Sequence, residues 1–334
     1  MICFDTMSGL GNQLFKYAFA RAMQLDTGEE IVVYIRHGLD KEAGSIASCK
    51  LPDIVPSEID ISYVDCPGED TASFIKKFAP IRYGFYRVGR MLLRISKGIY
   101  KKDLKKMSVK EQEEVNKRII SAYMPVSDFL GVYEYMQQYY PCKPGKVFKK
   151  KFFSGNFFSA QYFNRYSEQI HSELRRPELI PERSADLLEK IRSCNAVFVH
   201  MRFGDYLSEQ FKKFLFVCDV PYFEKAIRRA ARELDDPVFF LFSDSPDIAA
   251  TVQLPEGTEA VLVPSDHSAI EDLELMAQCK HAIISNSTFS WWGQFLIDNP
   301  EERVYAPEPW DREGVLDMFY QDFWTRIPVD LPPL

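Results

Sequence analysis

Three strand-like runs of this chain end in groups that can hold an anion. The apolar run Ala196-Val197-Phe198-Val199 reads as a buried strand and leads into His200-Met201-Arg202-Phe203-Gly204-Asp205-Tyr206. Val238-Phe239-Phe240-Leu241-Phe242 leads into Ser243-Asp244, and Ala282-Ile283-Ile284 into Ser285-Asn286-Ser287-Thr288. In open α/β sheets, ligands bind at the carboxyl ends of the strands. Three strands that deliver polar groups at the same end point to one site. The planar fork of Arg202 can pair with two oxygens of a phosphate. A helix starting near Thr288 would aim backbone N–H groups and hydroxyls at an anion, and a simple N-cap at Ser287 and Thr288 fits the spacing equally well. The sequence has no Asp-x-Asp and no His/Cys cluster at metal-ligand spacing, so the chemistry expected here uses a cation and a helix terminus, with no metal and no cofactor.

The elements that would position these groups alternate. Strands are expected at 196–200, 237–242, 260–263, 281–285 and 302–306. Helices are expected at 184–193, 221–234, 268–279 and 288–297, with Pro221 opening the second. Such alternation predicts a parallel, doubly wound α/β sheet. The N-terminal half begins in the same way. Met1–Phe4 reads as a strand and Gly9-Leu10-Gly11 as a turn. Asn12–Leu25 carries a helical apolar stripe, Gly28 stops it, and Ile31–Ile35 forms the next strand. Residues 40–75 read as loop-rich. Residues 76–118 read as mostly helical and hold 14 Lys/Arg against 4 Asp/Glu. The tail, 309–334, carries Trp310, Phe319, Tyr320, Phe323 and Trp324. It is too apolar to float free, and it is expected to pack back on the N-terminal half.

Bulk properties narrow the class. The chain has 334 residues, 46% apolar and 27% charged, which suits a globular protein with one large core or two medium ones. A net charge of −7 argues against a general nucleic-acid binder. No run of 18 apolar residues occurs, and Met1-Ile2-Cys3-Phe4-Asp5 lacks a basic n-region, so neither a membrane span nor a signal peptide is expected. Seven scattered Cys without Cys-x-x-Cys favour free thiols in a reducing cytoplasm, with Cys194, Cys218 and Cys279 as small core residues.

The motifs together resemble glycosyltransferase family 11, the α-1,2-fucosyltransferases. The residues that carry the resemblance are Ser8-Gly9-Leu10-Gly11-Asn12-Gln13-Leu14-Phe15-Lys16-Tyr17-Ala18, His200-x-Arg202-x-Gly204-Asp205-Tyr206, Phe242-Ser243-Asp244, Glu271-Asp272-Leu273-x-Leu275-Met276, and Ser285-Asn286-Ser287-Thr288-Phe289-Ser290-Trp291-Trp292-Gly293. The resemblance implies a GT-B fold, two Rossmann-type domains with a cleft between them. The boundary is expected near 165, separating an acceptor-side domain (1–165) from a GDP-sugar-binding domain (166–308) followed by the tail. It further implies that His200 contacts the nucleoside and Arg202 the β-phosphate. Asp244 would take the ribose hydroxyls and Asp272 the guanine edge. Asn286, Ser287, Thr288 and Phe289 would complete the donor site, with Gly11 and Asn12 meeting the sugar phosphate from the other side of the cleft.

Plainer readings stand beside each of these. His200 could be a hydrogen-bonded core histidine, Asp244 a cap for a helix at Pro246, Asp272 a favourable charge in a helix first turn, and Phe289 a core side chain. Asp205 could act as a base, but a carboxylate in a Gly-Asp turn more simply fixes the loop that carries Arg202. Phe203 departs from the family, which often has a second Arg there.

A segment around Tyr133-Glu134 resembles an aromatic and amide-rich part of the family that would suit a sugar acceptor; buried tyrosines are the alternative. The basic segment 76–118, with Met91-Leu92-Leu93 between Arg90 and Arg94, is either a solvated helix face or a peripheral contact with the inner face of a membrane. The function implied is inverting transfer of fucose from GDP-fucose to O2 of a galactose-terminated acceptor, free or lipid-linked, in bacterial surface glycan synthesis. Another GDP-sugar, another acceptor hydroxyl, or a catalytically inactive sugar-binding homologue are the alternatives.

Overall fold

Two wholly parallel sheets organise the chain, one in each of two units, Met1–Ile170 and His171–Leu334. The computed structural model describes residues 1–6, 9–35, 49–66, 71–99 and 101–332. Ser8 of the opening motif, residues 40–48 and 67–70 of the expected loop-rich stretch, residue 100 of the expected helical stretch and residues 333–334 of the tail lie outside them. The unit boundary falls at 170/171, a few residues beyond the expected position.

The first unit runs β1 (Ile2–Thr6), α1 (Leu10–Thr27), β2 (Ile31–Ile35), α2 (Leu51–Ile54), β3 (Ile61–Asp65), α3 (Thr71–Phe78), α4 (Pro80–Ser96), α5 (Lys101–Leu104), α6 (Val109–Leu130), β4 (Val132–Met136), β5 (Lys151–Gly155) and α7 (Ser167–Leu174), the last spanning the unit boundary. Its sheet order is β3-β2-β1-β5-β4. The expected loop character of 40–75 is corrected at 51–54, 61–65 and 71–75, which hold regular elements. So is the expected turn at 9–11. Gly9 is the extended N-cap of α1, and Leu10 and Gly11 are its first helical residues. The helix stops at Gly28, whose φ of 67° is left-handed and whose N–H reaches Gln24 O at 2.7 Å, the conformation for which glycine is suited.

The second unit runs α8 (Ala185–Ser193), β6 (Asn195–Met201), α9 (Glu209–Leu215), α10 (Val220–Glu233), β7 (Pro237–Ser243), α11 (Pro246–Ala249), β8 (Glu259–Leu262), α12 (Ala269–Met276), β9 (His281–Ile284), α13 (Thr288–Phe295), β10 (Val304–Glu308) and β11 (Thr325–Pro328). Its strand order is β8-β7-β6-β9-β10-β11. Counted from β6 this is 3-2-1-4-5-6, the order of the dinucleotide-binding α/β fold. Two Rossmann-type α/β units are the architecture called GT-B. The core under β6 and β7 is filled by α10, which buries Tyr222, Phe223, Ala226, Ile227 and Ala230 on one helical stripe. Asp219 caps that helix by accepting from Tyr222 N at 3.1 Å.

The tail corrects another expectation. It belongs to the second unit, where β11 pairs in parallel with β10. Trp310 stacks on Phe319 at 4.8 Å, and Trp291 Nε1 donates to Phe319 O at 2.9 Å. Trp310, Phe319 and Trp324 are buried against their own unit, Tyr320 is half-buried, and Phe323 stays exposed. All seven Cys are free; Cys218 and Cys279 are buried, while Cys194 is only half-buried.

Candidate active site

The site is built where the strand order of the second sheet reverses, between β6 and β9. Strands on either side of such a point send their following loops apart and leave a crevice between them. His200 lies at the end of β6, and Ser285-Asn286 follow β9 directly. Asp244 follows β7, the other neighbour of β6.

Strand register brings Arg202 and Asp244 together. Met201 is paired with Ser243, so the residues that follow them leave the sheet side by side. Arg202 Nη1 donates to Asp244 Oδ2 at 2.6 Å and Nη2 to Asp205 Oδ1 at 2.7 Å. Burial works against the cation, but Asp244 and Asp205 outweigh it and raise the Arg202 pKa. Asp244 Oδ1 also accepts from Phe203 N and Gly204 N at 3.0 and 3.1 Å. Asp244 thus holds the loop and its cation in place. It does not cap α11, whose N-cap is Ser245. Gly204 suits the close approach, since a Cβ there would lie 2.6 Å from Asp244 Oδ2 and push that carboxylate aside. Phe203 points into the core, edge-on to Phe223 at 5.9 Å, so this position adds no polar group to the site.

His200 is buried and fixed from behind. Its Nδ1 is 2.6 Å from Ser290 Oγ, and Ser290 Oγ is 2.9 Å from Ser285 Oγ. Burial pushes its pKa down to about 4, against the attraction of Asp244, so the imidazole is neutral at physiological pH. Phe289 is half-buried and packs against the ring at 5.2 Å. Ser287 is the N-cap of α13 and accepts from Phe289 N at 3.2 Å; Thr288 is the first helical residue. Asn286 Nδ2 donates to Leu215 O at 2.7 Å, and Tyr206 OH donates to Asn286 O at 3.1 Å. The loop after β6 is therefore tied to the loop after β9.

Asp272 lies in the second sheet's unit at the start of α12. The capping box belongs to its neighbour: Ser268 accepts from Glu271 N, and Glu271 accepts from Ser268 N. Asp272 is left to face His267, with Oδ1 3.4 Å from Nδ1 and neither atom in a hydrogen bond among the described residues. Burial, with Glu271 and Asp266 adding to it, pushes the Asp272 carboxyl up to about 7.

The first unit treats its candidates differently. Gly11 and Asn12 lie in the first turn of α1, and Asn12 N reaches Gly9 O at 3.1 Å. Tyr133 and Glu134 are both buried and engaged within the first unit, as the alternative reading of a buried tyrosine has it. Tyr133 stacks on Phe153 at 4.4 Å and donates to Asp128 Oδ1 at 2.7 Å. Glu134 accepts from Tyr83 OH at 2.8 Å and pairs with Arg87 and Arg90 of α4, each at 3.4 Å.

Sequence reasoning gave no role to Tyr206, Ser290 or His267. Tyr206 lies inside the motif string, and Ser290 is one turn into a recognised helix, so both had a signal. His267 had none. The buried Lys16, whose Nζ donates to Asp5 O at 2.9 Å, was likewise unassigned within the opening motif. Among the described residues no group of three or more His, Cys, Asp or Glu could hold a metal ion.

Comparison with known proteins fits this geometry. The profile of Glycosyl transferase family 11 matches residues 93–320, and the chain belongs to that family. Over 147 residues it is 32% identical to an alpha-1,2-colitosyltransferase of Escherichia coli, covering 42% of this chain and 51% of the relative. Over 138 residues it is 33% identical to the O-antigen biosynthesis glycosyltransferase WbnK of Escherichia coli, covering 40% and 45%. The chain spans about half the length of these two relatives. A galactoside alpha-(1,2)-fucosyltransferase 2 of Mus musculus is 24% identical over 229 residues, 60% of each chain. Among solved structures, NodZ alpha-1,6-fucosyltransferase soaked with GDP-fucose aligns over 89% of this chain and 92% of its own at 16% identity, with a TM-score of 0.48.

Proposed function

We propose that the protein transfers fucose from GDP-β-L-fucose, with inversion, to O2 of a terminal galactoside in the synthesis of a bacterial surface glycan. The acceptor hydroxyl attacks the anomeric carbon and gives up its proton. The bond to the β-phosphate oxygen breaks, GDP leaves with the electron pair, and the β-linked donor yields an α product. Negative charge grows on the leaving diphosphate, so groups fixed in advance around it lower the barrier most. The observation that carries this reading is Arg202, held at the switch point by Asp244 and Asp205. The N-terminus of α13 is the second proposed anion contact, and His200, Asn286 and Phe289 line the nucleoside side.

Asp272 is the proposed partner of the guanine edge, where N1–H and the 2-amino group offer two donors to one carboxylate. Gly11 is kept as a donor contact, and Asn12 as a catalytic group beside Arg202, on the strength of their motif alone. The reaction is proposed to need no metal. A lipid-linked acceptor would bring the enzyme to the inner face of a membrane, with the basic segment 76–118 as the peripheral contact.

A second reading, transfer of another GDP-sugar, has support from the colitosyltransferase among the relatives. GDP release from GDP-fucose, with and without lactose, tests the main reading. Lactose-dependent release with an α-1,2-linked product is expected. Release only from another GDP-sugar would favour the second reading. No release from any would leave a sugar-binding protein.

A further inference from the structure

α4 exposes an apolar stripe that no other described residue covers. Tyr83, Tyr86 and Arg90 form its buried face. On the opposite side Ile81, Phe85, Val88, Leu92 and Ile95 recur at intervals of four and three residues and are 51–74% exposed. Apolar residues at that spacing make one continuous helical face, which a helix packed only into its own domain would turn inward. Met91 extends the stripe on one side and is also exposed.

The surroundings of the stripe are cationic. Residues 76–118 carry a surplus of ten positive charges in a chain whose net charge is −7. The structure divides these cations into two sets. Arg90 is buried against Glu134, and Arg82 donates to Leu130 O and Lys150 O. Lys76, Lys77 and Lys97 remain exposed on or beside the helix, and Arg87 is exposed while paired with Glu134.

We infer that α4 lies on the surface of an anionic lipid bilayer, with Phe85, Val88 and Leu92 entering the boundary between headgroups and acyl chains. A helix with an apolar face and a Lys/Arg-rich polar border is suited to that position. The charge decides between occupants. Anionic headgroups neutralise the cations, whereas a second copy would set two such surpluses against each other. α4 has 17 residues and is about 26 Å long at 1.5 Å per residue, and no helix among the described residues is long and apolar enough to cross a membrane. It would therefore lie in the plane of the surface. The inference rests on reading 76–118 as a membrane contact, and not on the identity of donor or acceptor.

Flotation of the full chain with vesicles tests it. At low salt the protein should bind phosphatidylcholine vesicles containing phosphatidylglycerol, bind pure phosphatidylcholine weakly, and release as salt rises. Phe85→Ser with Leu92→Ser changes two exposed side chains, so the melting temperature should hold. Partitioning onto anionic vesicles should fall on the order of tenfold or more. Wild-type protein that stays off anionic vesicles at low salt would overturn both the stripe and the segment as a membrane contact. A double variant that binds like wild type would show charge-only attachment and overturn the stripe alone. A wild-type dimer that the double variant converts to monomer in sedimentation velocity would give the face to a second copy. GDP release with lactose, measured on the same preparations, separates any of these failures from a failure of the enzymatic reading.

Discussion

Arg202 and Asp244 are 42 residues apart in the chain and meet at 2.6 Å because Met201 and Ser243 are partners in neighbouring parallel strands. The cation is thus positioned by sheet register, with one carboxylate on each side of its fork.

Arg202→Ala should lower kcat by on the order of 10²–10³-fold, about 3–4 kcal/mol, as for the loss of one strong donor to a developing anion. Arg202→Lys keeps the charge without the fork and should recover only part. GDP affinity should fall less than kcat, since the contact strengthens toward the transition state. Steady-state GDP release is the measurement. Near-normal turnover by a folded Arg202→Ala variant would move leaving-group stabilisation elsewhere.

GDP affinity should rise with pH. With its carboxyl pushed up to about 7, Asp272 is partly protonated near neutrality, while the proposed guanine contact uses the carboxylate. Binding then releases a proton below about pH 7, so affinity climbs between about pH 6 and 8 and levels off above. The sign for folding runs the other way. A folded-state pKa above the free value of 3.8 favours the folded state at low pH, and that contribution is lost as pH rises through about 7. Asp272→Ala should flatten the pH profile and weaken GDP on the order of 10–100-fold while changing UDP little. Titration calorimetry with both nucleotides reads this, and equal losses for the two would mark the residue as structural.

Excess EDTA should leave turnover unchanged, because Arg202 and a helix terminus are proposed to neutralise the diphosphate. Activity abolished by EDTA and restored by Mn²⁺ or Mg²⁺ would sink that account.

Glu134→Gln should destabilise the first unit by about 3–5 kcal/mol, the usual cost of leaving a buried ionic partner unpaired. Arg90 is the partner left behind. Thermal unfolding reads the loss. A variant of unchanged melting temperature but sharply raised KM for the acceptor would return Glu134 to the sugar site.

The sequence made the second unit more legible than the first. β7 was expected at 237–242 and spans Pro237–Ser243; β6 was expected at 196–200 and spans Asn195–Met201. Apolar runs between polar strand ends carry that information locally. β11 had no such signal: Thr-Arg-Ile-Pro is short, ends in proline and pairs on one side only. The tail's aromatics announced burial but not which unit would bury them. Glu134 illustrates another limit. Its carboxylate reads as a sugar contact until α4 is folded over it, and the cations that claim it lie 44–47 residues earlier. His200 was named from its strand end, but the two serines that fix its ring become visible only when α13 is placed beside β9.

Four of the crevice's anchors share one chemical habit. Tyr206 donates to the carbonyl of residue 286, Asn286 to that of 215, Tyr222 to that of 284 and Trp291 to that of 319. A carbonyl oxygen is present whatever side chain its residue carries. Each lock therefore has only one half that a point mutation can remove. Substitutions at 215, 284 or 319 can alter packing without deleting the acceptor, so the loop geometry around Arg202 is buffered against sequence drift on the receiving side.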